Sequence, residues 1–231
     1  MDNFYKTGIA LDIKNVIKQE RLPKKWDFLY DYLTGKSKKL KILDVGCGTG
    51  SIMLFLLKKH YRHIIGLEYN EEAYKNIVKS HPQLKIVNGT AEDLSRFKDE
   101  TFDLVYCSHV LEHLPNPTTA VEEARKVLKK NGAYIIGVPN GNHLNDIIMK
   151  IIQIIFYKRT DHLQRFSKNS ISNLLENKGF KIIKLKARKD SLSLLLNCRI
   201  KKYLFFSKSF YFFLKRFYFE DISYDILSIK K

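Results

Sequence analysis

The sequence predicts an α/β fold with a mostly parallel sheet, and two adjacent features carry that prediction. The first is a short apolar run, Ile42 to Val45, which ends abruptly at Gly46, as is typical of a parallel strand buried on both faces. The second is a turn with glycines at positions 46, 48 and 50, followed by an apolar helical segment that begins near Gly50. A strand, a glycine turn and a helix in this order are typical of the unit from which α/β sheets are built.

The glycine turn also predicts a ligand site. Glycines allow a ligand to approach the backbone, and the free N–H groups at the start of the helix favour a carboxylate or a phosphate. A dinucleotide fingerprint would need a glycine at position 51, where the chain has Ser51. Asp44 places a carboxylate beside the turn, which suits an ammonium group better than a pyrophosphate. The pattern therefore favours an amino acid joined to a nucleoside, and the plain alternative is an α/β turn without a ligand.

From Asp44 to Gly50 the sequence resembles the first motif of the class I S-adenosylmethionine-dependent methyltransferases, an acidic residue and one further residue before G-x-G-x-G. The resemblance covers roughly residues 40 to 231 and implies a Rossmann-like, seven-stranded sheet in the order 3-2-1-4-5-7-6. The sheet would be mostly parallel, with an antiparallel last strand and helices on both faces. The implied cofactor is S-adenosyl-L-methionine and the implied product is S-adenosyl-L-homocysteine. The motif assigns these cofactor-binding residues: Asp44, Gly46, Cys47, Gly48 and Gly50.

Glu68 extends the resemblance to the second strand, which is predicted from His63 to Leu67. It lies about twenty residues after the glycine turn, where open α/β sheets place the acid that hydrogen-bonds ribose hydroxyls. Dehydrogenases also need this acid, so Glu68 alone does not distinguish a methyltransferase from a dehydrogenase. Its structural alternative is to cap a helix that starts near Glu71.

Asp93 follows the third strand, which is predicted from Leu84 to Val87. In the sequence Ala-Glu-Asp-Leu it matches the family's acidic position, whose carboxylate accepts a hydrogen bond from the exocyclic amine of adenine. The adjacent Glu92 is the alternative for this role. Asp93 is preferred because the family pattern has the aspartate directly before the leucine.

The fourth strand, predicted from Phe102 to Cys107, leads into the segment that the resemblance places beside the transferred methyl group. Ser108 is a further cofactor-binding residue there. The segment lacks the Asn/Asp/Ser-Pro-Pro-aromatic motif of amino-methylating nucleic-acid enzymes. It also lacks the Pro-Cys of cytosine C5 enzymes, because Cys107 follows Tyr106. The remaining resemblance is to O-methyltransferases or other small-molecule methyltransferases, and a hydroxyl on a small molecule or lipid-linked metabolite is the expected methyl acceptor.

Within that group the segment is most similar to the ubiquinone-biosynthesis O-methyltransferases, whose E-x-x-E-H motif here begins with His109 and ends with Glu112 and His113. His113 and His109 are the candidate catalytic residues, because a histidine with a pKa of about 6.5 can act as a base toward a hydroxyl. These three side chains, at helical spacing, could alternatively bind a divalent ion softer than magnesium. The structural alternative is that His113 only packs after the strand. No metal ligand is assigned.

One methyltransferase domain is predicted over residues 1–231. It has a helical cap at 1–39, a cofactor-binding core at 40–140, a lid insertion at 141–178 and a C-terminal part at 179–231 with an aromatic, basic helix. A helix from Thr118 to Lys130, ending at Asn131-Gly132, should precede a fifth strand from Ala133 to Val138. Side chains that could contact the methyl acceptor or form turns and caps follow this strand: Asn140, His162 and Arg165.

The net charge of +17 favours an acidic partner, such as a phosphorylated methyl acceptor or an anionic membrane surface. Phenylalanines and tyrosines alternate with lysines over residues 201–220, which predicts a helix in peripheral contact with lipid headgroups, or a packed crossover helix or dimer face. Nucleic acid is disfavoured, since no RNA-binding module is readable, although RNA methylation stays an alternative. A second alternative is that the chain is a non-catalytic, cofactor-binding partner of another enzyme. Three dispersed cysteines and an amino terminus without signal-peptide features favour the cytoplasm.

Overall fold

In the computed structural model, which describes residues 26–141, 163–188 and 223–231, seven strands form one sheet in the order β3-β2-β1-β4-β5-β7-β6. This order confirms the predicted fold. The strands are β1 (Ile42–Val45), β2 (Ile64–Glu68), β3 (Ile86–Asn88), β4 (Phe102–Ser108), β5 (Leu128–Pro139), β6 (Phe180–Arg188) and β7 (Ser223–Lys230). The helices are α1 (Asp27–Leu33), α2 (Ser51–Lys58), α3 (Glu71–Ser80), α4 (Pro117–Val127) and α5 (Lys168–Asn177).

Strands β1 to β5 pair in parallel, whereas β7 runs antiparallel to both β5 and β6. The carboxyl ends of the parallel strands therefore share one edge of the sheet, called the carboxyl edge below. Because β7 is reversed, its first residues return to the same edge. Ligands of open α/β sheets bind at this edge, so it is where a site is expected.

Two hydrophobic clusters cover the two faces of the sheet, which confirms helices on both sides. On one face, α1, α2 and Ile77 of α3 pack against strand residues such as Ile42, Leu104 and Ile135. On the other face, α4 and α5 pack against Val105 and its neighbours in the central strands. Burial on both faces explains why β1 and β4 read as continuous apolar runs.

The boundary between α4 and β5 differs from the prediction. The helix ends at Val127 instead of Lys130, because Leu128 has an extended backbone, with φ −74° and ψ 136°, and already pairs with Phe102 of β4. The buried Lys230 donates a hydrogen bond of 2.6 Å from Nζ to the Leu128 carbonyl oxygen. Asn131 does adopt a left-handed conformation, with φ 60°, but it lies within β5. Contacts made by distant strands thus decide this boundary.

Strand β3 also starts later than predicted, at Ile86 instead of Leu84. Leu84 lies in the turn after α3, where its N–H donates to the His81 carbonyl, and its buried side chain joins the α2 face. The apolar character of Leu84 therefore reflects packing against the helices and not strand pairing.

Helix α1 is the described part of the predicted amino-terminal cap. It packs beside α2, with the rings of Tyr30 and Phe55 5.7 Å apart. The Tyr61 hydroxyl, close to the amino end of β2, donates to the Leu33 carbonyl at 2.8 Å. The end of α1 therefore lies away from the carboxyl edge. Residues 1–25, most of the lid insertion and the aromatic, basic segment lie outside the described residues, so these parts of the domain division stay predictions. None of the described helices is long and apolar enough to cross a membrane.

Candidate active site

The glycine turn lies between β1 and α2, and all three of its glycines have left-handed backbones, with φ 70° at Gly46, 55° at Gly48 and 71° at Gly50. A Cβ at Gly46 would collide with Val110, and one at Gly50 would lie 2.6 Å from Leu84 Cδ1. A Cβ at Gly48 would meet no described atom within 4 Å. The close packing around Gly46 and Gly50 therefore leaves no room for a side chain, whereas the backbone at Gly48 is open to a ligand.

Asp44 is the next-to-last residue of β1 and is almost fully buried, at 3% exposure. Among the described residues, its Oδ2 atom has no hydrogen-bond partner. Burial, and secondarily the charge of Glu68, raise the pKa of Asp44 to about 8. A buried carboxylate without a partner is costly, and an ammonium group would supply both the donor and the opposite charge. The residue thus fits the predicted contact to an amino-acid ligand.

Glu68 joins the end of β2 to the glycine turn. Its Oε2 accepts a hydrogen bond from the Gly48 N–H, and its Oε1 accepts one from the Asn70 N–H, both at 2.9 Å. Burial raises the pKa of Glu68, and these backbone hydrogen bonds oppose the rise. The cap of α3 is Asn70, whose Oδ1 accepts from the Ala73 N–H at 2.8 Å, so the capping alternative for Glu68 is wrong. Each carboxylate oxygen keeps a second lone pair for a ribose hydroxyl.

The structure separates the roles of Asp93 and Glu92. Glu92 Oε1 accepts a hydrogen bond of 2.8 Å from the Asn116 N–H, in the loop before α4. Asp93 is exposed, and its Oδ1 accepts from the Ser95 N–H at 3.0 Å. The hydrogen bonds from Ser95 lower the pKa of Asp93, which keeps the carboxylate ionised and able to accept from an adenine amine. This arrangement favours Asp93 for the predicted contact.

Cys47 contributes only its backbone to the turn. Its N–H donates to the Leu67 carbonyl at 3.0 Å, and its buried side chain points toward Gly66 and Met53 in the core. Burial raises the pKa of the Cys47 thiol, so no reactive thiolate forms there.

The two predicted catalytic histidines have different surroundings. His109 follows β4 with a left-handed backbone, φ 56°, and its N–H donates to the Gly137 carbonyl at 2.8 Å. Its Nδ1 lies 3.1 Å from Oε1 of Glu112, a carboxylate that is 1% exposed. His113 ends a short 3-10 helix and is exposed. The structure therefore pairs His109 with a buried carboxylate.

Glu112 is also held through its backbone. Its carbonyl oxygen accepts hydrogen bonds from the Leu163 N–H at 2.8 Å and the Gln164 N–H at 3.0 Å. The chain that returns after the insertion thus fastens the segment that orients His109. Across the described ranges, no group of three or more His, Cys, Asp or Glu side chains is arranged to hold a metal ion.

Sequence reasoning missed Asp225 at the carboxyl edge. The register places Ser108, the last residue of β4, beside Gly137 of β5, and Gly137 beside Asp225 of β7. Asp225 is 7% exposed. The available signal was that Asp225 is the one acidic residue of β7, Ser223–Lys230, but no motif links it to the turn.

Parts of this chain are similar in sequence to known proteins. Residues 43–136 match a family model described as a methyltransferase domain. The ubiquinone biosynthesis O-methyltransferase of Photobacterium profundum is 32% identical over 124 residues, which are 52% of this chain and 52% of that protein. An uncharacterized protein of Methanocaldococcus jannaschii is 33% identical over 144 residues, 62% of this chain and 65% of that protein. The chain therefore spans about half the length of the first of these curated relatives.

A solved structure shares the fold over nearly the whole chain. The S-adenosylmethionine-dependent methyltransferase from Archaeoglobus fulgidus has a TM-score of 0.65 and 21% identity, and the match covers 89% of this chain and 91% of that chain. At this identity the similarity concerns the fold alone.

Proposed function

We propose that this chain, which belongs to the class I S-adenosylmethionine-dependent methyltransferases through residues 43–136, methylates a hydroxyl of a small-molecule or lipid-linked metabolite. The observation that carries the proposal is the pair formed by His109 and the buried Glu112 at the carboxyl edge, beside the glycine turn. A histidine oriented by a carboxylate is a suitable base for a hydroxyl. The O-methyltransferase among the relatives supports an oxygen as the methyl acceptor.

The residues around the glycine turn fit S-adenosylmethionine. The buried Oδ2 of Asp44 is suited to the ammonium group, and the open backbone at Gly48 leaves room for the ligand. Glu68 would accept from the ribose hydroxyls, and Asp93 from the adenine amine. When bound, the cofactor supplies a methyl group on a positively charged sulfur, and S-adenosylhomocysteine would be the product.

His109 would take the proton of the methyl acceptor. In the neutral imidazole, Nδ1–H donating to Glu112 makes Nε2 the basic nitrogen. His109 Nε2 would accept the proton of the hydroxyl as its oxygen receives the methyl group that the cofactor would supply, and the sulfur would keep the electron pair of the broken bond. Because this displacement needs mainly alignment, the site has to hold the hydroxyl in line with the breaking bond. His113, nearby and exposed, is the alternative base.

The cofactor part of the proposal is tested by calorimetric titration with S-adenosylmethionine, S-adenosylhomocysteine and NADH. We expect both adenosyl ligands to bind and NADH not to bind. Binding of NADH alone would contradict the proposal and indicate a dehydrogenase.

The acceptor part is tested with tritium-labelled S-adenosylmethionine and a panel of phenols, alcohols and prenylated hydroxybenzenes in detergent. We expect label on oxygen, identified by mass spectrometry of the product. Label on nitrogen or carbon, or transfer only to RNA, would contradict O-methylation.

We further propose that the protein lies in the cytoplasm, in peripheral contact with anionic membranes. The net charge of +17 supports this contact. We expect the protein to pellet with vesicles rich in phosphatidylserine at low salt and to stay in solution at high salt. Equal behaviour with neutral vesicles would contradict the membrane contact.

A further inference from the structure

Two basic segments lie side by side at the opposite edge of the sheet, where the parallel strands begin, called the amino edge below. Residues 34–41 lead from α1 into β1, and residues 58–63 lead from α2 into β2. Since β1 and β2 pair from their first residues, the two segments emerge next to each other. The Tyr61 hydroxyl, which donates to the Leu33 carbonyl at 2.8 Å, fastens the second segment to the start of the first.

The two segments carry a dense positive charge. They contain no aspartate or glutamate and seven lysine and arginine side chains: Lys36, Lys38, Lys39, Lys41, Lys58, Lys59 and Arg62. All of these are exposed except Lys59, which is half-buried. Among the residues that the structure describes, no carboxylate forms an ion pair with Lys36 or Lys38. Their charges are therefore available to an anionic partner.

Aromatic rings hold two of these ammonium groups in place. Lys38 Nζ lies 4.0 Å from the centre of the Tyr61 ring, so this contact joins the two segments. Lys36 Nζ lies 4.6 Å from the centre of the Tyr32 ring at the end of α1. A cation over the face of a ring is attracted to it, which restricts the lysine while its charge stays at the surface. Residues 34–41 and 58–63 thus form one basic surface, called the amino-edge surface.

The carboxyl edge has the opposite charge. Residues 68–74 and 88–95, which begin at the ends of β2 and β3, include five acidic residues and no lysine or arginine. The amino edge also contains acidic residues near the start of β4, Asp99, Glu100 and Asp103, but Glu100 and Asp103 are paired with lysines of β7 and β5. An anionic surface would therefore attract the amino edge and repel the carboxyl edge.

We propose that the amino-edge surface binds an anionic lipid membrane, with the carboxyl edge facing the aqueous side. Clusters of roughly four to eight lysines and arginines are typical of segments that bind anionic lipid headgroups. This inference rests on the membrane contact proposed above and names the surface that makes it. The aromatic, basic segment at residues 201–220 is the competing contact.

Two features of the amino-edge surface favour lipid over RNA. Single-stranded RNA stacks its bases on open aromatic faces, whereas lysines lie over the rings of Tyr32 and Tyr61. Six of the seven basic side chains are lysines. Lysine acts as a point charge and lacks the planar, bidentate geometry with which arginine recognises individual phosphates. The surface thus provides charge without base recognition.

This orientation determines from which side the methyl acceptor arrives. Strand β4 has seven residues, so the two edges of the sheet are about 20 Å apart. His109, at the carboxyl edge, would then lie well above the headgroups, where a hydroxyl held in the bilayer would not reach it. The inference therefore favours a methyl acceptor that reaches the site from water.

The test is sedimentation of the full chain with phosphatidylcholine vesicles, with and without phosphatidylserine. Lys36→Gln/Lys38→Gln should weaken binding to the anionic vesicles about 30-fold, since each lysine near such a surface contributes about fivefold. The control is Lys75→Gln/Lys168→Gln, which removes the same charge near the carboxyl edge and should bind like the wild type. Thermal melting and calorimetry with S-adenosylhomocysteine show whether each variant keeps its fold.

Hydrogen exchange tests the orientation. Anionic vesicles should slow exchange in residues 34–41 and 58–63 and leave residues 68–74 unchanged. The inference is overturned if Lys36→Gln/Lys38→Gln binds the vesicles as tightly as the wild type, which would indicate residues 201–220 as the contact. Slowed exchange in residues 68–74 alone would also overturn it.

Binding of the wild type to polyuridylate RNA but not to vesicles would overturn the choice of lipid as the partner. Failure of the wild type to bind either would overturn the membrane contact proposed above together with this surface. Calorimetry with S-adenosylhomocysteine tests the methyltransferase proposal separately, because the cofactor site lies at the other edge of the sheet.

Discussion

The carboxyl edge has two halves that are built from different parts of the chain. The half proposed to bind the cofactor, called the cofactor half, comprises residues 44–50 and 68–70. The half proposed to face the methyl acceptor, called the acceptor half, comprises residues 108–113 and the strand residues beside them, Gly137 and Asp225. In the cofactor half, one continuous turn provides most groups, and Glu68 binds it through the backbone N–H of Gly48. In the acceptor half, residues 108–113 form one segment at the end of β4, whereas Gly137 and Asp225 come from β5 and β7. If these assignments are right, single substitutions in the acceptor half should change the choice of methyl acceptor without changing cofactor binding.

The largest expected effect is on turnover, from a substitution in the acceptor half. His109→Ala should lower methyl transfer about 100-fold or more, because the base is lost, and should leave S-adenosylmethionine affinity unchanged. His113→Ala is the matched variant and should have a much smaller effect. The measurement is tritium transfer to the hydroxyl substrate found in the panel, with calorimetry for the cofactor. An equal loss in both variants would remove the distinction between the histidines.

In the cofactor half, Asp44→Ala should weaken S-adenosylmethionine binding about 100-fold, because the ammonium group would lose a buried charge partner. Calorimetric titration measures this change. Asp103→Asn is the control, since its carboxylate binds the Lys41 N–H and Lys129 at the opposite edge. An affinity for Asp44→Ala close to that of the wild type would mean that the ammonium group binds elsewhere.

A smaller effect is expected from the open glycine. Gly48→Ala should weaken the cofactor about tenfold, while the free energy of unfolding falls by only about 1 kcal/mol from left-handed backbone strain. Gly50→Ala has similar strain and adds a contact of 2.6 Å with Leu84, so it should destabilise the fold more. Chemical denaturation and calorimetry separate the two quantities. If both variants lost stability equally, Gly48 would not be the open position.

The last expected effect is on stability and not on function, and it is a pH dependence that comes from Asp44. Its pKa of about 8 in the folded protein lies above the ordinary aspartate value of 3.8. The folded state therefore binds this proton more tightly, and its contribution to stability is lost as the pH rises from about 4 through about 8. Without cofactor, the melting temperature of the wild type should fall relative to that of Asp44→Asn over this range. A difference in melting temperature that stays constant with pH would show that Asp44 is not the source of the pH dependence.

Local patterns predicted the cofactor half because its residues are close in sequence. The run from Ile42 to Gly50 contains the strand, the turn and the start of the helix, and Glu68 follows at the end of the next strand. The acceptor half was predicted only in part. The pairing of Gly137 with Asp225 depends on strand register between distant segments, and no local pattern encodes it. The end of α4 was missed for the same reason, since Phe102 and Lys230 hold Leu128 in the sheet.

The position of β7 between β5 and β6 has a consequence for folding. Until β7 inserts, β5 and β6 each present an open edge, and their partner strand follows them late in the sequence. Pairing of such distant segments requires closure of long loops, which slows folding. Open strand edges are also prone to pair with other chains during that interval. Premature pairing between two nascent copies is therefore the characteristic hazard of this topology.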